Sequence, residues 1–165
     1  LSGLSKLAGL PQLKLAFTHV AGPADAVRAA MQRLELVGDT FLSVGTPIMH
    51  ALPALLAARA TTEGAIHARA RRNYDALRAL IDAQSPATLL AAEGGWYACL
   101  RLPRVLSEEA WALRLLADDG VVVQPGYFFD FADEAYVVLS LLTPERDFDA
   151  GVARLLARVA EVAAR

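Results

Sequence analysis

The sequence predicts an α/β protein in which a helix-rich first part is followed by a small α+β unit. Residues 13–20 are short and mostly apolar, as expected of a strand that is buried on both faces. Between residues 23 and 83, apolar side chains recur at helical spacing. Beyond residue 95, short strand-like segments alternate with helical ones, which predicts a small sheet.

The composition is that of a globular protein of ordinary size. Of the 165 residues, 55% are apolar and 21% are charged, so the chain has enough apolar material to bury a core. The 16 Lys and Arg and the 18 Asp and Glu residues are dispersed and give a formal net charge of −2. Because no polybasic stretch is present, nucleic acid is not an expected partner.

No segment is expected to cross a membrane. The longest apolar run, Ile48–Ala58, is too short for a bilayer and contains His50 and Pro53. Cys99 is the only cysteine, so an intrachain disulfide is excluded. The chain opens on Leu rather than Met, and no signal peptide is expected. We therefore expect a fragment of a longer, cytoplasmic protein.

Three helices are predicted in the first half. Pro23 stands where a first helical turn tolerates proline, and apolar residues then recur up to Val37. A second helix is expected over Ile48–Arg59, with Pro53 near enough its start to bend it rather than end it. The third, Thr61–Ala83, has an arginine side, which is either solvated or a salt-bridge surface, and an apolar side. These two sides are Arg69, Arg71, Arg72 and Arg78, and Ile66, Ala70, Tyr74, Leu77, Leu80 and Ile81.

The first elements of the second half are a strand and a helix. A strand is predicted over Trp96–Leu102, after a pair of glycines. Ser107 with the two glutamates that follow predicts a helix N-terminus, because a serine caps the first turn and negative charge complements the helix dipole. That helix runs to Asp119, and Gly120 ends it.

Two further strands and a last helix complete the second half. The strands are predicted over Val121–Val123 and Tyr136–Leu142, around a turn at residues 124–126. The helix begins near Asp147 and places apolar residues on one face. That face consists of Phe148, Val152, Leu155, Leu156 and Val159.

Lys6 is the first residue with candidate chemistry. A lone lysine beside a serine near a chain end is most often a solvated surface residue. A lysine that forms a Schiff base with an aldehyde needs a fixed position and a nearby anion site. Gly3, Ser5 and Gly9 surround Lys6, and Lys14 supplies a second cation eight residues later.

The segment Ser2–Phe17 resembles the cofactor-lysine motif of class I/II aminotransferases, the pyridoxal-phosphate enzymes of fold type I in the aspartate aminotransferase superfamily. That motif reads Ser-x-Ser-Lys, then Gly-Leu-Pro, then Gly-Leu-Arg, a small residue and an aromatic. The resemblance implies that Lys6 forms the Schiff base with pyridoxal phosphate and then acts as the general base. It places Ser5 beside that lysine, Gly3 where many members have a phosphate-binding serine, and Lys14 where they have a phosphate-binding arginine.

The resemblance extends over essentially the whole chain. Phe41–Pro47 is similar to the family's segment before its interdomain helix, and Gly94–Tyr97 to the strand that opens the small domain. Val122–Phe128 is similar to its Val-x-Pro-Gly-x-x-Phe loop near the substrate. The resemblance implies that residues 1–60 are the end of the large cofactor-binding domain and residues 61–165 the small C-terminal α+β domain, including the interdomain helix. It also implies a homodimer.

One departure concerns the substrate. Where typical members read Arg-x-Ser and use the arginine to bind the substrate α-carboxylate, this chain has Val138. A valine cannot bind a carboxylate, so either another cation does so or the substrate is not an ordinary α-amino acid. Arg101 is the candidate cation, and Tyr127 in the Pro-Gly loop is a second candidate substrate contact.

The function implied by the resemblance is transfer of an amino group between an amino donor and a 2-oxo acid, with Lys6 as the catalytic residue. Because other cofactor contacts are expected upstream, this chain alone is predicted to be a poor catalyst. A pyridoxal-phosphate lyase or decarboxylase of the same fold is one alternative, and a module without catalysis is another.

No metal site is expected. His19, His50 and His67 lack the spacing of metal ligands. Cys99 lies in an apolar predicted strand and is expected to be an inert packing residue.

Overall fold

A computed structural model of the chain describes residues 1–81 and 85–164. It divides into two compact units, Leu1–Ile66 (unit 1) and His67–Arg165 (unit 2). The elements are, in chain order, β1 (Ser2–Gly3), α1 (Leu4–Leu7), β2 (Ala16–Phe17), α2 (Ala24–Gly38), α3 (Thr46–Leu80), β3 (Thr88–Leu89), β4 (Tyr97–Arg101), α4 (Glu108–Asp119), β5 (Gln124–Pro125), β6 (Tyr136–Ser140) and α5 (Glu145–Ala163). None of the described helices is long and apolar enough to cross a membrane.

The first predicted strand is much shorter than expected. In place of a buried strand over residues 13–20, only Ala16–Phe17 form β2, and both residues are exposed. Pro11–Leu13 form a turn of 3-10 helix, and Lys14 has a left-handed backbone with φ of 51°. The partner of β2 is β1, which is itself two residues long. The prediction was wrong because an apolar run extends as a strand only where neighbouring strands bond to it.

The predicted helix is α2, which begins at Ala24, so Pro23 directly precedes the helix rather than lying in its first turn. All of its residues are described, and none of them is buried. Of the apolar side chains that define its amphipathic pattern, Met31, Leu34 and Val37 are exposed, and Val27 and Ala30 are only partly buried.

The second and third predicted helices are one continuous helix, α3, so the predicted break near residue 60 was wrong. The sequence around that point, Arg59-Ala60-Thr61-Thr62, contains no proline or glycine that would end a helix. Pro53 lies inside α3 and does not end it, as predicted. The predicted end at Ala83 lies outside the described residues.

In unit 2, α3 presents a buried polar residue as well as apolar ones. Ala70 and Leu77 belong to the core, whereas Leu80, expected on the apolar side, is 53% exposed. Asn73 is fully buried, and its Nδ2 donates hydrogen bonds of 2.9 Å to the carbonyls of Leu141 and Thr143. This side chain ties α3 to the turn before α5.

Two arginine–carboxylate pairs join helices of unit 2. The Arg72 guanidinium donates hydrogen bonds of 2.6 and 2.5 Å to Asp149, and this interaction lowers the pKa of that carboxyl. Arg158 donates to both carboxylate oxygens of Asp119, at 2.9 and 3.1 Å. These bonds likewise hold the pKa of Asp119 below its usual range.

The sheet of unit 2 is antiparallel, with the strand order β3–β4–β6–β5. Its two long strands, β4 and β6, match the predicted strands to within two residues at each end. Alternation sends Leu100, Val137 and Leu139 into the core. The same core holds side chains of α4 and α5 that include Trp111, Leu115, Phe148, Leu155 and Val159.

Helix α4 has the predicted ends. The Ser107 hydroxyl accepts a hydrogen bond from the Ala110 amide at 3.2 Å, and Gly120 ends the helix with φ of 61°. The strand predicted next, Val121–Val123, is not a strand. Instead Gln124–Pro125 form β5, opposite Val138 and Val137 of β6. Burial of Val121 and Val123 accounts for their apolar character without any ladder bonds.

Candidate functional site

Lys6 lies on the short helix α1, which is anchored by the buried side chains of Leu4 and Ala8. Leu4 and Ala8, four residues apart and on one face of the turn, are 0% and 2% exposed and belong to the core of unit 1. Lys6 lies between them in sequence, on the opposite side of the turn, and is exposed. The amide of Leu4 donates to the Leu15 carbonyl at 3.0 Å, which anchors the start of the helix.

Gly3 occupies a place with no room for a side chain. A Cβ added there would lie 2.9 Å from the Leu15 carbonyl oxygen and 3.2 Å from the Cα of Ala16. The close approach arises because Gly3 is paired with Ala16 in the β1–β2 ribbon. Gly3 therefore offers its backbone, and a side chain at this position would not fit without a shift of the ribbon.

The same ribbon brings Lys14 back toward Gly3. Lys14 directly precedes Leu15, whose carbonyl accepts the Leu4 amide, and it is exposed. Gly3, Ser5, Lys6 and Lys14 thus belong to the stretch of chain that the β1–β2 ribbon closes, which we call the lysine segment. It combines a primary amine with a second cation, the donor set needed for an aldehyde that carries a phosphate.

Gly9 fixes the turn that follows α1. Its φ of +66° lies in the left-handed region, where glycine is favoured. A Cβ there would also lie 2.9 Å from Cδ1 of Ile66 and 3.1 Å from Cγ2 of Thr62. The turn is thus packed against α3 within unit 1.

In unit 2, the sheet register relates Val138 to Arg101. Val138 of β6 is opposite Cys99 of β4, and Tyr136 is opposite Arg101. Residues two apart on a strand share a face, so Arg101 is the diagonal neighbour of Val138 on the face away from the core. Val138 is 2% exposed, whereas Arg101 is exposed.

Cys99, which is opposite Val138 and two residues before Arg101 on β4, is partly buried. Burial raises the pKa of its thiol, which favours the unreactive thiol form. The direction of this shift agrees with the predicted packing role.

Tyr127 lies in a turn of 3-10 helix, Gly126–Phe129, that directly follows β5. Its side chain is 49% exposed and contacts the ring of Phe128 edge to face, with ring centroids 4.8 Å apart. Phe129 contacts Tyr97 of β4 in the same manner at 5.9 Å. We call residues 126–129 the Tyr127 turn.

Glu108 is a residue of this region whose role the sequence did not indicate beyond its charge at a helix start. It is 3% exposed, and its two carboxylate oxygens accept hydrogen bonds of 2.7 Å from the amides of Tyr127 and Tyr136. The partners lie 19 and 28 residues away, a spacing with no sequence signature.

Across residues 1–81 and 85–164, no group of three or more His, Cys, Asp or Glu side chains is arranged to hold a metal ion. The two candidate sites are the lysine segment and the outer face of the sheet. Their chemistry is that of amine, cation and aromatic groups.

No protein-family model matches the sequence, and no curated protein matches it. Solved structures do match. An aminotransferase from Escherichia coli has a TM-score of 0.77 at 14% identity, covering 96% of this chain and 41% of its own. Aspartate aminotransferase from Thermotoga maritima has a TM-score of 0.70 at 16% identity, covering 96% and 39%. LysN, the α-aminoadipate aminotransferase of Thermus thermophilus, has a TM-score of 0.67 at 22% identity, covering 98% of this chain and 41% of its own.

The chain has the fold of the C-terminal portion of fold-type I aminotransferases. This confirms the predicted fold class, the end of the large transferase domain with the small α+β domain. The chain spans about 40% of the length of the aminotransferases it matches. The roles predicted for individual residues of this aminotransferase fold, and the boundary after residue 60, stay predictions.

Proposed function

We propose that the protein containing this chain is a pyridoxal-phosphate-dependent aminotransferase in which Lys6 binds the cofactor covalently. The observation that carries the proposal is the lysine segment, an exposed amine on a short helix anchored by Leu4 and Ala8. The aminotransferase fold supports it, as does the structure of LysN, which was solved with N-(5'-phosphopyridoxyl)-L-leucine. We further propose that it acts as a homodimer on an amino donor and a 2-oxo acid.

The roles of the lysine segment follow from its chemistry. Lys6 supplies the amine that binds the cofactor aldehyde, and later the base that moves a proton of the substrate. Lys14 supplies positive charge for the phosphate as a point charge rather than as a planar fork. Gly3 and Ser5 supply a backbone amide and a hydroxyl. When bound, pyridoxal phosphate supplies the electron sink for this chemistry.

Arg101 is our candidate for the substrate carboxylate. Its diagonal position beside Val138 gives this face of the sheet a guanidinium on the neighbouring strand. Tyr127, which is half exposed, is the second proposed substrate contact. If Arg101 has this role, Arg101→Ala raises KM for the amino donor at least about tenfold. Arg104→Ala, which removes another exposed arginine of unit 2, should leave KM unchanged.

The test of cofactor binding is borohydride trapping. The polypeptide made from the complete reading frame that encodes this chain is mixed with pyridoxal phosphate, reduced and mapped by peptide mass. We expect a phosphopyridoxyl group on Lys6 and none in Lys6→Arg, which keeps the charge but removes the amine. Lys14→Ala should keep the adduct and need more cofactor to form it. A folded protein that forms no adduct would refute the proposal.

A decarboxylase or lyase of the same fold is the second candidate, because Val138 lies where the resemblance expects an arginine and cannot bind a substrate carboxylate. An amino-acceptor assay separates the two functions. An aminotransferase converts the donor into its 2-oxo acid and requires an acceptor, whereas a decarboxylase releases carbon dioxide without one. If the unreduced, cofactor-loaded protein does neither, a module without catalysis remains.

A further inference from the structure

We propose that Glu108 is a positioning residue that fixes the Tyr127 turn for substrate binding. The part of this inference that concerns substrate binding rests on the proposed function. The fixing of the turn is independent of that function. Glu108 lies at the first residue of α4 and is almost completely buried, although it carries a carboxylate.

The two hydrogen bonds of Glu108 reach separate parts of unit 2. One oxygen accepts the amide of Tyr127 in the turn, and the other accepts the amide of Tyr136 at the start of β6, both at 2.7 Å. Distances of this size are typical of strong bonds to an ionised acceptor. Glu108 therefore bridges three elements, α4, the Tyr127 turn and β6, through a single rigid group.

The charge of Glu108 is compensated by dipoles. Within the described part of the chain, its carboxylate is paired with backbone amides rather than with a lysine or arginine. The positive end of the α4 dipole adds to this compensation. A buried carboxylate stabilised by amides is costly to misplace, because moving it leaves both the charge and the amides without partners.

Space around the turn points to the same role. A Cβ on Gly126 would lie 2.7 Å from Oε1 of Glu108 and 2.8 Å from Cβ of Tyr136. The backbone of the turn thus passes directly against the carboxylate. Tyr127 follows immediately, so its backbone is fixed on the inside while its ring remains half exposed.

Fixing the backbone of an exposed aromatic residue favours a ligand contact over a packing role. An exposed ring on a free loop would lose conformational entropy on binding. The Glu108 bridge removes much of that loss before the ligand arrives. The ligand class that follows is an amino donor with an apolar or aromatic part that contacts the Tyr127 ring and its neighbour Phe128, which is 63% exposed.

The first test measures the turn itself. Hydrogen exchange of the 165-residue chain is followed by NMR in wild type, Glu108→Gln and Glu109→Gln. Glu109 is the exposed neighbour of Glu108, so its variant makes the same chemical change on the same turn of helix. A glutamine can accept only one of the two amides and turns its own N–H₂ group toward the other. We expect the amide of Tyr127 or Tyr136 to exchange at least about tenfold faster in Glu108→Gln, with α5 still protected, and no change in Glu109→Gln.

Glu108→Asp keeps the measurement decisive if the glutamine variant does not fold. Its carboxylate is one methylene shorter and retains the charge, so it should protect one amide and release the other. Unchanged exchange at both amides in a folded Glu108 variant would overturn the bridge.

The second test is kinetic and uses the holoenzyme. Glu108→Gln should raise KM for a donor with an apolar side chain about tenfold with kcat within about threefold, while borohydride still labels Lys6. An unchanged KM together with fast exchange would overturn the substrate role and leave a structural bridge. Absence of labelling in wild type would refute the proposed function instead, and the exchange rates would still decide the bridge.

Discussion

Replacing Gly126 with alanine should destabilise unit 2 through the contact with Glu108. The added Cβ would lie 2.7 Å from a carboxylate oxygen and 2.8 Å from Cβ of Tyr136, so something must move. Moving the backbone costs about 1–3 kcal/mol, as overpacking does in other cores. Moving Glu108 instead breaks two charge-assisted hydrogen bonds, each contributing about 1.5–3 kcal/mol. The cheaper of the two, the backbone shift, gives an expected loss of about 1–3 kcal/mol in the free energy of unfolding.

Gly151 offers a matched control of opposite sign. It lies in α5 of the same unit, and a Cβ there would meet no atom within 4 Å. Gly151→Ala should therefore stabilise unit 2 by about 0.5–1 kcal/mol, since alanine loses less backbone freedom than glycine in a helix.

Urea unfolding followed by tryptophan fluorescence measures both variants. The two tryptophans, Trp96 and Trp111, belong to unit 2, so the signal reports that unit. Gly126→Ala within about 0.5 kcal/mol of wild type, in an experiment where Gly151→Ala shows its gain, would refute the reasoning from the Glu108 contact.

Three other expectations concern the core and its titrating groups. Asn73→Ala leaves two backbone carbonyls without their donor and should lower the free energy of unfolding by about 2–4 kcal/mol in the same urea assay; a loss under about 1 kcal/mol would contradict it. Because Arg158 lowers the pKa of Asp119, the ionised carboxyl stabilises the fold above its unfolded pKa of about 3.9, and that contribution is lost as pH falls through the lower, folded pKa. Asp119→Asn should therefore reduce the urea midpoint at pH 7, and this difference should shrink as pH falls below about 3.9; a difference that does not shrink would exclude the ionised carboxyl as its source. Cys99, whose pKa is raised by burial, should react with a thiol reagent far more slowly in the native chain than in urea, and equal rates would show that the strand does not protect it.

Elements with strong local signals were predictable from the sequence. Ser107 and Gly120 bound α4 because a cap and a left-handed glycine act within one turn of chain. Strand β6 and helix α5 follow from alternation and helical spacing of apolar residues. The resemblance of residues 2–17 gave the aminotransferase fold, because its motif has a fixed order and spacing.

Elements that depend on distant partners were not predictable. The run over residues 13–20 was expected to be a strand, yet its length is set by β1, which is only two residues long. Val121 and Val123 were assigned to a strand because of their apolar character, whereas the ladder begins at Gln124. Hydrogen-bonding needs of distant backbone atoms, rather than local propensity, decide such positions.

The polar contacts of the site were the least visible. Asn73 and Glu108 bond to groups 19 to 70 residues away, and neither residue type nor spacing indicates these partners. The relation of Arg101 to Val138 depends on strand register, which a one-residue slip would reverse. Both residues were singled out from the sequence, but only the strand register shows that they are neighbours.

The uncovered helix α2 has a consequence for synthesis in the cell. Unit 1 leaves the ribosome before unit 2, and its core consists mainly of Leu4, Ala8 and Leu15 with partly buried neighbours. Helix α2 contributes no buried residue to that core, so the nascent chain displays Met31, Leu34 and Val37 as it emerges. A surface of this kind is what holding chaperones recognise, since it would otherwise meet the same surface on a neighbouring chain. We therefore expect self-association of the 165-residue chain to begin at this face of α2 rather than in the well-packed second half.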